Sequence, residues 1–144
     1  MAKEIKSDSV TALLAEFVAS TGFDRLPERV RHAARRMVLD TVGVAIAGAA
    51  DPRFGPVRQY AEGVAARGEV PVPCSRPLDV AWSAFVVGTA AHLLDYDDVH
   101  TMSGHPSATL LPVIFSLGHA VHASGAEALR AVALGAEVEA RIGA

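Results

Sequence analysis

The sequence has one cysteine, Cys74, so a disulfide within the chain is impossible and a cysteine-rich metal site is excluded. Lysine is nearly missing. Of the 13 basic residues eleven are arginine, and the two lysines, Lys3 and Lys6, both lie at the N-terminus. No basic run is interleaved with aromatics, which excludes the usual signature of nucleic-acid binding. The longest apolar run, Thr41 to Ala50, is too short to span a bilayer. The N-terminal stretch MAKEIKSDSV has no apolar core, so it does not read as a secretory signal. Runs with strand alternation are also scarce. These absences predict a soluble, cytoplasmic protein with neither membrane nor nucleic acid as partner.

What remains is a chain of 144 residues, 51% hydrophobic and 20% charged, with a net charge of -3. That is enough apolar material for one folded domain, and too little charge for a disordered chain. The expected division is a flexible tail over residues 1–8 and a single helical domain over 9–144. The architecture expected is all-α, a bundle of about six helices.

The pattern along the chain supports that reading. Ser7, Asp8 or Ser9 can cap a first helix with Val10, Leu13, Leu14, Phe17 and Val18 at helical spacing, ended by Gly22. Pro27 suits the first turn of a second helix. That helix starts polar (Arg29, Arg31, Arg35, Arg36) and continues as MVLDTVGVAIAGAA, apolar all round, which predicts burial of its later half. Asp40, inside this apolar stretch, is expected to be a buried hydrogen-bonding group. A third helix is predicted over Val57–Ala66. The segment GEVPVPCSRP has three prolines and at most a short extended piece. A fourth helix is predicted from about Asp79 to Leu94, and a fifth from Ser107 or Thr109 to His122 with Pro112 in its first turn. A sixth runs from Ala126 to about Ile142 after the break at Ser124–Gly125. The apolar face of the last (Leu129, Val132, Ala133, Ala136, Val138) needs a neighbour.

Between the fourth and fifth helices lies HLLDYDDVHTMSGHPS, His92 to Ser107, with three aspartates and three histidines in sixteen residues. Carboxylates beside apolar helices have their charged form disfavoured, and close carboxylates repel, so one of Asp95, Asp97 and Asp98 is expected to hold a proton near neutral pH. His105 sits between Gly104 and Pro106, on a defined turn beside a helix N-terminus that favours anions. An acid, a base and an anion site together suit proton abstraction next to a carboxylate. The same residue types also serve as helix caps and loop ties, with Asp98 as a solvated loop residue. His92, on an apolar helix face, reads as a satisfied core histidine. His119 and His122 are three apart on a helix face without a third ligand. A metal site from Asp97, Asp98, His100 and His105 is chemically possible. The run DYDD also matches a four-residue pattern of terpene cyclases, but the chain has one Trp, two Tyr and five Phe, too few aromatics for a carbocation pocket.

Taken together, GTAAHLLDYDDVH, GHPSATLLPVIFSLGHA, SGAEALRAVALGAEVEARI and LPERVRHAARRMVLDTVGVAIAG closely resemble the N-terminal helical region of the MmgE/PrpD family, over about Val10 to Ile142. Activities in that family include dehydration of 2-methylcitrate, decarboxylation of cis-aconitate and epimerisation of iminodisuccinate. The resemblance implies proton transfer next to a carboxylate of a small polycarboxylic acid, without a metal or organic cofactor. It implies active-site roles for Asp95 and His105, which match positions of the decarboxylase branch. Val99 stands where the family has threonine, which removes a hydroxyl. The resemblance also implies a much longer chain whose later segments supply lysine, histidine and tyrosine.

The expected activity is therefore lyase or isomerase chemistry on a small carboxylic acid. Asp95 and His105 are the catalytic candidates, Asp98, His100 and Ser107 the substrate-binding ones, and no metal or cofactor is expected. Self-association or a second family-like subunit would complete the site. The competing expectation is a non-catalytic helical interaction module with an apolar stripe exposed on the last helix.

Overall fold

A computed structural model describes residues 9–144. The expected tail over 1–8, and Ser7 and Asp8 as caps, lie outside the described residues. The protein is all-α: α1 (Val10–Ser20), α2 (Glu28–Ala50), α3 (Gly55–Val64), α4 (Val80–His92), α5 (Pro106–Ala120) and α6 (Gly125–Ile142). One short extended piece, β1 (Arg67–Val70), lies in the proline-rich segment and bridges to Leu78.

Caps fix most of these boundaries. Ser9 accepts a hydrogen bond from the Ala12 amide and Asp79 from the Trp82 amide, and Ser124 and Glu127 form a reciprocal capping box at the start of α6. Pro27 precedes the first residue of α2 as its cap residue. α5 stops at Ala120, two residues short of the expected end, because His122 adopts a left-handed φ of 54°. The Ala123 amide then reaches back to the Gly118 carbonyl (2.8 Å) and the His122 amide to that of His119 (3.2 Å), closing the helix in a Schellman turn. His119 and His122 therefore do not share a helix face.

α2 is the spine, and the two halves of its length serve two cores. Its C-terminal half borders Phe54, Ala61, Val72, Leu78, Val86, Val87 and Ala90, from the α2–α3 junction, α3, the 70–78 segment and α4. Its N-terminal half contributes Ala34, Met37 and Val38 to a second core with Leu111, Ile114 and Phe115 of α5 and Leu129, Val132 and Ala133 of α6. The apolar face of α6 is thus covered within the chain. The buried stripe of α2 is made of small residues: Ala34, Thr41, Ala45, Gly48 and Ala49. A Cβ on Gly48 would lie 2.0 Å from the Ala90 carbonyl oxygen, so only glycine permits this approach of α2 to α4.

Three expectations are corrected. The second half of α2 is not buried all round: Leu39 is 75% and Ile46 58% exposed, because the neighbouring helices cover one stripe of it only. Asp40 lies on the uncovered side and is exposed. Pro112 sits in the second turn of α5, since Pro106 takes the first position. Its ring displaces the helix bond to the Ala108 carbonyl. Gly88 of α4 faces the spot, where a Cβ would be 3.3 Å from that carbonyl oxygen and 3.5 Å from the Pro112 ring. No helix among the described residues is long and apolar enough to cross a membrane.

Candidate functional site

The segment between α4 and α5 sends its three aspartates in three directions. α4 ends at His92, and the Asp95 amide turns back to the His92 carbonyl (3.1 Å). This turn needs a left-handed residue, and Asp95 takes it with φ 55°. Aspartate tolerates that region better than most side chains, and strain of this kind tends to gather at functional positions. The side chain of Asp95 consequently projects outward, 78% exposed. Two residues on, Asp97 returns to the interior and its side chain is fully buried. Asp98 follows and turns toward α5.

Asp97 is the centre of the cluster; the sequence offered it as one of three close carboxylates and as a possible metal ligand, with no catalytic or substrate-binding role. Its carboxylate oxygens lie 3.0 and 3.1 Å from His92 Nδ1. On its other side, Oδ2 is 3.1 Å from His105 Nδ1. The second contact is close but not in line for a hydrogen bond, which leaves His105 Nδ1 buried without a well-directed partner. The opposite edge of the His105 ring faces outward, with Nε2 3.8 Å from Asp95 Oδ1. The two imidazoles pack edge to face at 4.5 Å. His92, expected in the core, has a side chain 51% exposed. Its role could have been suspected from its place at the end of α4, where the apolar helix runs into the acidic loop.

Asp98, His100 and Ser107 lie apart from this cluster. Asp98 accepts from the Ser107 amide (3.1 Å) and the Ser107 hydroxyl (2.6 Å). It therefore caps α5 from a distance, a task the cap residue His105 does not perform. A protein carboxylate thus occupies the anion position at this helix N-terminus, and Ser107 is fully buried. His100 is exposed. Its Nδ1 accepts from the Met102 amide (3.3 Å) and stands 3.2 Å from the Ser103 hydroxyl. Backbone bonds between His100 and Gly104 in both directions (2.7 and 2.9 Å) pinch off a small loop, which Gly104 closes with φ 68°. Asp98 and His100 line a groove of about 320 Å³ together with Met37, Val99, Pro106 and Ala136.

Metal-binding geometry falls on a different set from the one the sequence suggested. His92, Asp95, Asp97 and His105 each offer a ligand atom, all within 4.8 Å of one another, and such a set could hold a divalent ion. Asp98 and His100 are not part of it. The three carboxylates do not share one site either, because Asp98 is committed to Ser107. The arrangement allows proton transfer at two imidazoles that face a buried carboxylate and at the exposed Asp95 carboxylate.

The sequence profile of the MmgE/PrpD N-terminal domain matches residues 12–144. Cis-aconitate decarboxylase of Mus musculus is 32% identical over 141 residues, covering 93% of this chain and 29% of the relative. The Homo sapiens cis-aconitate decarboxylase matches to the same extent. The chain spans about three-tenths of the length of these curated relatives. With helices and loop in the order that this domain match covers nearly end to end, the chain belongs to the MmgE/PrpD family.

Proposed function

We propose that this chain contributes lyase or isomerase chemistry, proton transfer with dehydration, decarboxylation or epimerisation, on a small carboxylic acid. Asp95 and His105 are the acid/base and substrate-orienting groups. The observation that carries the reading is the pairing at His105: Nδ1 is held 3.1 Å from the buried Asp97 while Nε2 opens toward the exposed Asp95 at 3.8 Å. The Nδ1 edge of the ring is buried against that carboxylate, and the opposite edge is open to meet a substrate. The relatives support the substrate class, since those matched are cis-aconitate decarboxylases. In this reading Asp98 and Ser107 secure the start of α5, and His100 lines the adjoining groove. The chemistry uses no metal or organic cofactor.

The site lies open to solvent at Asp95, so the proposal includes a second body that closes it, either another copy of this chain or a family-like subunit. Leu39 and Ile46 of α2 and Val113 and Leu117 of α5 are exposed and apolar, the character expected of a covered interface. The same residues favour the second reading, a non-catalytic interaction module. That reading predicts a stoichiometric complex whose strength survives Asp95→Asn and His105→Ala.

Proton NMR in deuterated water, with a panel of small di- and tricarboxylic acids, separates the two. Isotope exchange or product formation is expected from the parent chain, with a loss of at least about 100-fold in His105→Ala at unchanged helicity. Equal exchange by both forms overturns the roles given to His105. Solution mass identifies the assembly under test. No exchange by the self-associated chain removes the homo-oligomer, and none after addition of a co-purified partner removes the enzyme reading.

A further inference from the structure

His92 has no role in the proposal above, yet its position gives it one. Asp97 is fully buried, and among the described residues the titratable groups in contact with it are two histidines, with no arginine or lysine paired to it. An ionised carboxylate only accepts hydrogen bonds, so a ring nitrogen bonded to it must carry the hydrogen. With Asp97 ionised, His92 Nδ1, at 3.0 and 3.1 Å from its two oxygens, is the donor. A neutral imidazole has a single N–H. Once Nδ1 carries it, Nε2 across the ring is left as a free acceptor, or as an N–H donor when the ring is protonated. The half-exposed His92 ring stands edge to face with His105 at 4.5 Å, and His105 Nδ1 faces the same carboxylate at 3.1 Å. The His92 ring is thus anchored by its inner nitrogen to a buried carboxylate that His105 Nδ1 also approaches, and the two rings are in contact.

We propose that His92 is a further substrate-facing residue: Asp97 positions its ring by Nδ1, and its Nε2, beside His105, meets the substrate, as an acceptor from a hydroxyl or carboxyl O–H while the ring is neutral and as a donor to a carboxylate once the ring is protonated. This rests on the reading of the site as one for a small carboxylic acid. It makes Asp97 a positioning residue, acting through the His92 ring without touching the substrate.

The test is read without turnover. Nitrogen-15 NMR of the histidine rings should show His92 with Nδ1 protonated whenever the ring is neutral; a neutral His92 carrying its hydrogen on Nε2 overturns the proposal. In Asp97→Asn one carboxylate oxygen becomes an NH2 group that can only donate, so His92 Nδ1 loses one of its two acceptors and the charge behind them, and its ring resonances should shift. An unchanged His92 ring would overturn the positioning role. The parent-chain measurement stands alone if that buried substitution prevents folding. Citrate, as a probe in metal-free buffer, should move the His92 and His105 ring resonances along one saturation curve. His92→Gln should weaken citrate binding about 10-fold with unchanged helicity. A His92 resonance that citrate leaves in place overturns the proposal whatever His105 does. Failure of proton exchange with these ring results intact counts against the proposed reaction. Proton exchange with the ring results reversed counts against His92 and Asp97 alone.

Discussion

Two long connections in this protein, one on each side of α4, use the same kinds of residue in opposite ways. Between α3 and α4, the side chains of Ser75, Arg76 and Asp79 are committed to the chain itself. Arg76 binds the carbonyls of Glu62 (2.8 Å) and Ala65 (3.1 Å), Ser75 binds the Glu62 carboxylate (2.8 Å), and Arg58 binds the Cys74 carbonyl (2.8 Å). Asp79 joins the two ends of the connection, accepting from the Ala66 and Trp82 amides (both 3.1 Å). Leu78 is fully buried beneath. Between α4 and α5, one aspartate does comparable work, Asp98 on Ser107. The remaining groups form a cluster with free edges: a buried Asp97, two half-open histidines and an exposed Asp95 in a left-handed turn. Polar side chains that satisfy backbone groups stabilise a loop. Polar side chains that satisfy one another and leave an edge to solvent make a site.

Four measurements would break or sharpen that contrast. Leu78→Ala should have the largest effect on stability, about 2–5 kcal/mol by urea unfolding, because it empties the base of the α3–α4 connection. A negligible loss would mean that the connection does not depend on its core anchor. Arg76→Ala should cost about 1–3 kcal/mol, since it strips partly buried carbonyls of their donor. In the other connection, Asp98→Ala should cost about 1–2 kcal/mol through the lost cap of α5. Asp95→Asn should leave stability within about 0.5 kcal/mol, because asparagine also accepts a left-handed φ and the side chain is exposed, while proton exchange falls. If Asp95→Asn unfolds the chain instead, the second connection is as structural as the first.

The short α2–α3 junction gives a reference with no role in either comparison. Arg53 holds the Asp51 carboxyl down to about 2 from 3.8, first through the side-chain bonds at 2.9 Å and then through its own amide at 2.8 Å. A depressed folded-state pKa stabilises the fold above the unfolded value and the contribution fades as pH falls from about 4 toward 2. Asp51→Asn should lower stability slightly near neutrality, by little because the pair is on the surface, and leave it unchanged near pH 2, so that the small fall between about pH 4 and 2 disappears. Urea midpoints at pH 2 to 7 would check it.

Much of the fold was legible in the sequence. Helical periodicity and cap residues located the helices to within a few residues, because both are local: a serine or aspartate satisfies amides two or three positions away. The site was legible only in part. The cluster was visible as a concentration of Asp and His, but which aspartate turns inward was not. Asp95, Asp97 and Asp98 are nearly equivalent as sequence, and their roles diverge through one left-handed turn and one bond to Ser107 across nine positions. His92 read as a core residue because its helix is apolar, and it is half exposed because the helix ends there.

The sequence by itself determined the all-α class, the order of helices and the place where ionisable groups gather, since these follow from spacing and from the backbone needs of each helix end. The tertiary structure decided which stripe of α2 is covered, that Asp40 faces outward, and that Asp97 turns inward to bond His92 and face His105. Those outcomes depend on which distant elements pack together. Burial of a given side chain is a property of its neighbours in space, and no local pattern specifies them.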